Sequence, residues 1–452
     1  MARDRRKSTG GTYASRKAAL AQALAASPGT VRLRKATSNL FRDRDNGGTR
    51  KLDASAFRRV LGVDPAAGWI DAEGMATYED LVMAALACGR MPAVVPQLKT
   101  ITIGGAVAGV GIEATSFRHG LVHQSVLELE VLAGDGNIYL CTADNEHRDL
   151  FFGFPNSYGT LGYALRVKAK TLPVKAFVRV EHRRHEDPAA CFQALARECD
   201  SDADFLDGVV FGPGEMYVSS GRFVDDAPAA SDYTYENIYY RSIREKAVDY
   251  LSAHDYLWRW DTDWFWCSRN LGAQVPLIRR LYGRDRLNSR TYTKIMRWNS
   301  RWRLTAALDR LSRKHRESVI QDVDVPIDRA PEFLDFFLRE VGILPAWICP
   351  IRSPKPAARF PLYPMDAGVT YVNFGFWDVV RTRMPHPPGH FNRLVERKVR
   401  ELGGIKSLYS DSYYTPAEFD AIYGGDAYRE LKRRYDPQVR LRGLYEKCVL
   451  KK

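Results

Sequence analysis

The sequence predicts an α+β protein built from two lobes, and three observations carry this prediction. Two stretches between Ser125 and Thr142 alternate apolar and polar residues around Gly134-Asp135-Gly136, which is the pattern of a β-hairpin. A glycine-rich segment precedes this hairpin. Beyond residue 174 the order strand, helix, strand, strand occurs twice, which is typical of a ferredoxin-like sheet. A chain of 452 residues with 45% hydrophobic content can bury two cores.

Cysteine usage and hydropathy exclude several classes of protein. Seven cysteines without a CxxC pair indicate neither a disulfide framework nor a zinc site, so we expect no metal and a reducing cytoplasm. No uninterrupted apolar run approaches the roughly 20 residues that span a bilayer. The basic start, Met1–Lys7, leads into no apolar signal core. We therefore expect a protein that is soluble or peripheral to a membrane.

The first hundred residues predict short elements that lead to the glycine-rich segment. A basic, Ala-rich helix is expected up to about Gly29, and residues 30–39 have the pattern of a strand that ends in a polar turn. The spacing of Thr77 and Asp80 is that of a capping box with Asp in place of Glu, which predicts a helix through Ala87. Met91–Pro96 ends this helix.

Five glycines stand among small and β-branched residues between Thr102 and Gly120. They are Gly104, Gly105, Gly109, Gly111 and Gly120. Without Cβ atoms the backbone can turn tightly or lie against a flat, bulky group, and its N–H groups can bind phosphate oxygens. The spacing matches neither the dinucleotide motif GxGxxG nor the P-loop. Taken alone, the segment fits a cofactor surface or a glycine-rich turn between two strands.

Three blocks in this order resemble the flavin-binding domain of the vanillyl-alcohol-oxidase-type, FAD-linked oxidase superfamily. They are the glycine segment beginning Thr102-Ile-Gly-Gly, the Gly134-Asp-Gly136 hairpin, and Asp149-Leu-Phe followed by Gly159-Thr-Leu-Gly162. Within the superfamily the sequence is most similar to the delta-24 sterol reductase group, through Gly109–Leu121, Tyr158–Gly162 and Asp366–Val380. The resemblance covers nearly the whole chain after about residue 30.

The resemblance implies a division of the chain into three parts. Residues 1–174 would form a PCMH-type FAD-binding domain of two subdomains, and 175–385 a ferredoxin-like α/β cap that holds the substrate. A helical insertion rich in Trp and Arg would interrupt the cap at about 226–316. Residues 386–452 would form a C-terminal segment that packs near the flavin. Within the cap, Asp187 followed by a proline predicts the start of a helix.

By resemblance, the glycine segment and its flanking loops would hold a non-covalent FAD. Many superfamily oxidases bond the flavin through a histidine in the loop near residues 30–50, and no His or Cys stands there. The residues expected to contact FAD are Thr37, Ser38, Asn39, Pro96, Thr102, Ile103, Gly104, Gly105, Gly109, Gly111, Ser116, His119, Gly159, Thr160 and Gly162. A plain surface turn at 37–39 and a purely structural role for His119 remain open, and a structural role is expected for Glu113.

A Tyr-rich segment, Lys406–Tyr414, precedes a second capping box at Thr415–Glu418. In the superfamily such a segment approaches the flavin from the cap or returns to its domain. The candidates for the proton donor are Tyr413, Asp411, Tyr414 and, in the same segment, Tyr409. Asn373 and Trp377 are expected to line the pocket. For each of these side chains, ordinary packing of sheet and helix is the alternative.

The resemblance implies reduction of an isolated C=C bond by a flavin that takes electrons from NADPH or NADH. Bacterial relatives in this branch accompany methyltransferases that methylate an oleoyl phospholipid, and the methylene group is then reduced. We therefore expect conversion of a 10-methylene-stearoyl phospholipid to the 10-methylstearoyl form, with a methyltransferase as partner. The alternatives are a sterol or steroid side-chain reductase, an alcohol oxidase that passes electrons to oxygen, and a flavin-free scaffold.

The positive charge is concentrated in one region. Thirteen Lys or Arg and only two Asp lie between Arg279 and Arg316, in a chain of net charge +13. Six of the nine tryptophans lie at positions 258–302. Basic residues beside tryptophans suit an anionic membrane interface, so 258–316 is expected to contact the inner face of the plasma membrane. A solvated basic helix over an aromatic core is the open alternative, and no nucleic-acid recognition fold accompanies the charge.

Overall fold

The computed structural model describes residues 11–27, 29–34, 50–302, 315–354 and 360–451, with the backbone alone for 296–302. The strands, numbered in chain order, are β1 (Val31–Arg34), β2 (Arg50–Asp53), β3 (Val60–Asp64), β4 (Trp69–Glu73), β5 (Arg90–Pro92), β6 (Val126–Ala133), β7 (Ile138–Cys141), β8 (Gly162–Pro173), β9 (Phe177–His185), β10 (Phe205–Gly212), β11 (Glu215–Val224), β12 (Val248–Ser252), β13 (His315–Pro326), β14 (Ala346–Arg352), β15 (Thr370–Thr382) and β16 (Ile405–Lys406). The α-helices are Tyr13–Ala25, Tyr78–Leu86, Ile103–Gly109, Ser116–His119, Arg148–Gly153, Pro188–Glu198, Tyr239–Ser242, Ala253–Leu257, Pro276–Tyr282, Ser289–Trp302, Ala330–Glu340, His390–Glu401, Pro416–Ile422, Gly425–Tyr435 and Leu444–Cys448.

The first lobe is built on an antiparallel sheet with the strand order β3-β4-β8-β6-β7, and β5 pairs with the end of β8. The predicted hairpin is confirmed, because β6 and β7 are antiparallel neighbours and Gly136 turns with φ of 95°. The predicted helix after Thr77 is also confirmed. The Thr77 side chain accepts a hydrogen bond from the Asp80 N–H, and the Asp80 carboxylate accepts one from the Thr77 N–H.

The glycine segment forms a short helix, Ile103–Gly109, and not a turn between two strands. Thr102 caps this helix by accepting a hydrogen bond from the Gly105 N–H at 3.3 Å. The Gly104 N–H donates to the Gly74 carbonyl at 2.9 Å. A Cβ atom on Gly104 would stand 2.7 Å from that same carbonyl oxygen and 3.1 Å from the Cβ of Ala164. Position 104 requires glycine because the helix contacts the backbone at the end of β4 there.

The second lobe is an antiparallel sheet of eight strands in the order β12-β9-β11-β10-β14-β15-β13-β16. Its six central strands come from the two strand, helix, strand, strand units. The helices of the two units, Pro188–Glu198 and Ala330–Glu340, pack over one face in a shared core. Asp187 caps the first of them, as predicted, by accepting from the Ala190 N–H at 2.7 Å. The predicted α+β class is confirmed.

The two faces of this sheet differ in composition because side chains alternate along each strand. On β13 and β15, Val323 and Phe374 face the helices and belong to their core. Asp322 on β13, Trp347 on β14 and Trp377 on β15 point to the other side, toward the first lobe and the insertion. The sheet thus presents polar and aromatic side chains to the junction of the lobes.

The insertion predicted at about 226–316 contains short helices and the edge strand β12. Trp258, Trp260, Trp264 and Trp266 are all buried, with at most 6% of their surface exposed. These four rings therefore belong to the core and form no exposed aromatic belt. The side chains at 296–302, where two further tryptophans stand, are not among those described.

The C-terminal segment returns to the first lobe. The helix Gly425–Tyr435 packs on the helix Arg148–Gly153, where the Tyr435 hydroxyl donates to Asp149 at 2.7 Å. The Val31 N–H donates to the Arg440 carbonyl at 2.8 Å. One hydrophobic core runs through both lobes without a break at residue 174. Among the described residues, no helix is both long and apolar enough to cross a membrane.

We expect Gly104→Ala to lower the free energy of unfolding by about 1 to 3 kcal/mol, because the new methyl group overpacks a backbone contact. Gly212→Ala is the matched control, since a Cβ atom there meets nothing within 4 Å. Urea denaturation followed by tryptophan fluorescence measures both. Equal stability of the two variants would contradict the close packing of the glycine helix.

Candidate active site

A cavity of about 410 Å³ lies where the two lobes, the insertion and the C-terminal segment meet. The helix Ile103–Gly109 and the residues up to Glu113 form one wall. A second wall comes from the insertion and the eight-stranded sheet, and the C-terminal segment closes the remainder through Ser407, Tyr409, Arg442 and Lys447. Every part of the fold contributes to this one cavity, which identifies it as the candidate site.

The second wall is aromatic. The ring of Phe265 lies 4.4 Å from that of Trp377 and 5.6 Å from that of Trp347, measured between centroids. Trp264 and Cys267 border the same space. Such a wall suits a flat ring or an apolar chain.

A hydrogen-bonded acid pair lies on this wall. The Trp377 Nε1–H donates to the Tyr409 oxygen at 2.8 Å, and the Tyr409 hydroxyl is hydrogen-bonded to the Asp322 carboxyl group. Burial raises the pKa of Asp322 to about 8, and the nearby Asp324 adds to this shift, while the bond from Tyr409 opposes it. Burial also raises the pKa of Tyr409 well above its ordinary value. Both groups therefore hold their protons at neutral pH.

Gly375 leaves room for this pair. It stands opposite Asp322 in the register of β13 and β15. A Cβ atom on Gly375 would lie 2.6 Å from the Trp377 ring and 2.7 Å from the Asp322 Oδ1. The sequence did contain a signal for Asp322, since Asp322 and Asp324 alternate with valines and place two acids on one face of a buried strand.

Three cations, Arg32, Arg442 and Lys447, also line the cavity. The Lys447 ammonium donates to the Tyr158 carbonyl, and Arg442 follows Leu441, which packs with Val31 of β1. Guanidinium and ammonium groups of this kind suit phosphate oxygens. Sequence reasoning missed all three, because no local motif marks them and only the fold brings them together.

Strained backbone borders the same cavity. Val110 and Tyr158 line it with φ of 65° and 52°, in the left-handed region that few residues other than glycine adopt. The Tyr158 hydroxyl donates to the Gly109 carbonyl at 2.8 Å, and a Cβ atom on Gly109 would stand 3.4 Å from its ring. Strain of this kind concentrates at binding sites, where the surrounding structure enforces it.

A buried charge cluster ties the cavity walls together. The Arg259 guanidinium, from the insertion, lies 3.2 Å from the Glu113 carboxylate and 2.8 Å from that of Asp207 on β10. Trp347 Nε1–H also donates to Asp207 at 3.2 Å, and the Gln97 amide donates to Glu113. Burial raises the pKa of Glu113 to about 7, with Asp207 adding to the shift and Arg259 opposing it.

Most of the residues predicted to contact FAD lie on the cavity wall. Those that line it are Pro96, Thr102, Gly104, Gly105, Gly109, Gly111, Gly159 and Gly162.

The other predicted FAD contacts whose positions are described lie behind the cavity wall or away from it. Ile103 packs in the core, the Ser116 hydroxyl accepts from the Glu113 N–H, and the Thr160 hydroxyl donates to the Ser157 carbonyl. His119 does not line the cavity, and burial with the nearby Arg118 lowers its pKa. Thr37, Ser38 and Asn39 lie outside the described residues.

The three residues put forward as catalytic from the sequence do not reach the cavity. Asp411 is paired with Lys451 at 2.9 Å. The Tyr413 N–H donates to Glu396, and Tyr414 packs in the aromatic cluster of the C-terminal segment. Of the other candidates, Tyr409 and Trp377 do line the cavity, whereas Asn373 donates its amide to Asp324 at 2.8 Å.

The residues present fit a bound FAD. Asp322 Oδ1 and Gln97 Oε1 are buried polar atoms on cavity-lining side chains, and neither has a hydrogen-bond partner among the described residues. Unsatisfied buried polar atoms favour a ligand that bonds to them. The three cations would hold the diphosphate. The first N–H groups of the glycine helix are already bonded within the protein, so this wall would instead offer the flat ring a surface without Cβ atoms.

Comparison with known proteins supports this assignment. Residues 15–142 match the family of FAD binding domains. The delta(24)-sterol reductase of Mus musculus is 25% identical over 373 residues, which cover 78% of this chain and 69% of that protein. A delta(24)-sterol reductase homolog of Caenorhabditis elegans is 26% identical over 407 residues, covering 84% and 75%. Cytokinin dehydrogenase 7 of Oryza sativa subsp. japonica is 33% identical over 162 residues, covering 35% and 31%. The chain thus carries a PCMH-type FAD-binding domain, and most of it is similar to delta(24)-sterol reductases.

We expect Arg259→Met to lower the free energy of unfolding by about 3 to 5 kcal/mol, because two buried carboxylates then lose their cation. The control is Arg244→Met, whose half-exposed pair with Glu215 should contribute no more than about 1 kcal/mol. Urea denaturation measures both variants. Adding Glu113→Gln and Asp207→Asn to Arg259→Met should recover part of the loss, and no recovery would show that packing, not charge, is the cause.

Proposed function

We propose that this chain is a flavin-dependent reductase that adds two hydrogens across an isolated C=C bond of a lipid. The observation that carries the proposal is the Asp322–Tyr409 acid pair, which faces a cavity with an aromatic wall and a fit to FAD. An isolated alkene has no oxygen on which charge can be stabilised. Its reduction therefore needs a group that donates a proton directly to carbon.

FAD, reduced by NADPH or NADH, would supply the hydride that adds to one carbon of the double bond. Tyr409 would give its hydroxyl proton to the other carbon. Asp322 would return a proton to the Tyr409 oxygen and would recover its own from water that enters the cavity after the product leaves. The Trp377 Nε1–H holds the Tyr409 oxygen at 2.8 Å and stabilises the charge left on it.

The aromatic wall would orient an apolar chain and exclude water from the acid pair. A 10-methylene-stearoyl phospholipid, which yields a 10-methylstearoyl chain, is the substrate we propose. A methyltransferase that produces the methylene group would then act before this enzyme. A sterol side-chain double bond is the second candidate, because delta(24)-sterol reductases are similar over most of this chain.

An anaerobic titration tests the function and separates these substrates. The purified protein should be yellow, and NADPH or NADH should bleach it under nitrogen. Recolouring by the methylene phospholipid but not by a delta(24)-sterol supports the first substrate, and the reverse supports the second. Rapid recolouring by air alone favours an oxidase, and a colourless preparation without extractable flavin contradicts the proposal as a whole.

We expect Tyr409→Phe to lower kcat for alkene reduction by about a hundredfold or more, because the proton donor is lost while the cavity keeps its shape. Flavin content should stay at the wild-type level. Tyr413→Phe and Tyr414→Phe are the matched controls and should keep the wild-type kcat. If Tyr409→Phe is fully active and one of these controls is inactive, the proton donor is the tyrosine predicted from the sequence and not Tyr409.

The pH dependence gives a second readout of the same pair. Asp322 is protonated below its raised pKa of about 8, so kcat should fall as the pH rises through that value. Asp322→Asn should lower kcat at pH 7 and remove this alkaline limb. A wild-type profile that is unchanged in the variant would contradict the role of Asp322.

A further inference from the structure

The insertion exposes a group of apolar side chains on its short helix Pro276–Tyr282 and on the residue before it. Four of the eleven large hydrophobic side chains exposed in the described part of the chain lie within positions 275–281. They are Val275, Leu277, Ile278 and Leu281, with exposed fractions of 50, 70, 37 and 73%. Leu277 and Leu281 are one helical turn apart and project to the same side. This set, the apolar helix face, has the character of an interaction surface.

The surroundings of the apolar helix face are basic. Arg280, Arg284, Arg286, Arg290 and Lys294 are exposed around it, and Asp285 is the only acid between positions 275 and 295. Arg280, Arg284 and Arg290 have acidic partners, which are Glu236 at 3.5 Å, Asp232 at 2.8 Å and Glu79. Such solvated pairs are weak, so a phosphate group can take the place of the carboxylate.

The apolar helix face is fixed to the cavity wall. On the inner side of the helix, Arg279 is buried and paired with Asp263 at 2.7 Å. Tyr282, at the end of the helix, packs in the same cluster as Trp264 and Phe265, which border the cavity. Any partner that binds the apolar helix face is therefore close to the aromatic wall of the cavity.

We propose that the apolar helix face docks the protein on an anionic lipid bilayer. The leucines lie at the boundary of headgroups and acyl chains, and the surrounding arginines contact the lipid phosphates. A second copy of this chain fits less well, because a two-fold interface would bring the basic rim against itself. The docking itself is independent of the proposed function. Only the further step, in which the docked bilayer supplies the lipid substrate, rests on that function.

Vesicle flotation with the full, flavin-loaded chain tests the docking. Wild-type protein should float with vesicles of phosphatidylcholine and phosphatidylglycerol, and less with phosphatidylcholine alone. Leu277→Glu with Leu281→Glu should weaken binding by at least about tenfold, because two charges replace the inserted side chains. Leu140→Glu with Met384→Glu, at exposed apolar positions elsewhere, is the matched control and should bind like wild type.

A second double variant tests the charge independently. Arg286→Gln with Lys294→Gln should weaken binding to the anionic vesicles only. The proposal is overturned if wild-type protein stays off anionic vesicles, or if Leu277→Glu with Leu281→Glu binds as wild type does. It is also overturned if light scattering shows a dimer that this variant dissociates. The variant Leu277→Glu with Leu281→Glu should still reduce a substrate dispersed in detergent. Loss of docking can therefore be distinguished from failure of the proposed function.

Discussion

The arrangement of this molecule depends on one buried cation. Arg259 comes from the insertion, and its two carboxylate partners come from the glycine wall, through Glu113, and from the eight-stranded sheet, through Asp207. An arginine without exposed side-chain surface costs several kcal/mol to desolvate, and this cost is offset only while both carboxylates stay in place. The cluster therefore penalises any displacement of one lobe from the other. The net contribution of these ion pairs to the free energy of unfolding is small, because desolvation offsets it. The cost of separating the charges is large, so the cluster mainly fixes the relative position of the three parts.

This constraint explains how the cavity keeps its shape between parts that are far apart in the sequence. Glu113 lines the cavity, and Asp207 also accepts a bond from the cavity-lining Trp347, so the cluster fixes both walls at once. With the pKa of Glu113 raised to about 7, its carboxyl group is divided between the protonated and the ionised form near neutral pH. Arg259 offsets the negative charge of the cluster, and the acid pair and the three cations are further ionisable groups on the cavity wall.

Local signals in the sequence were sufficient for the elements but not for the site. The capping residues Thr77 and Asp187, the Gly134–Gly136 hairpin and the doubled strand and helix pattern each act within a few residues, and each forms as expected. The acid pair instead depends on the register of β13 against β15, which brings Asp322 opposite Gly375, and on the path of the chain after β16. Tyr409 reaches the cavity while Tyr413, four residues later, bonds to Glu396. No periodicity distinguishes the two tyrosines, because Tyr409 lies in a turn and Tyr413 in the irregular stretch that follows it.

The protonation state of the acid pair also bears on the direction of the chemistry. An enzyme that oxidises an alcohol needs a base to take the hydroxyl proton, whereas one that reduces a double bond needs an acid, and either group works best when its pKa lies near the working pH. Asp322, with a pKa of about 8, and Tyr409, with a pKa raised further, are both protonated at neutral pH. A pair in this state supplies the proton donor that the proposed reduction needs. The aromatic wall beside it would hold the apolar substrate.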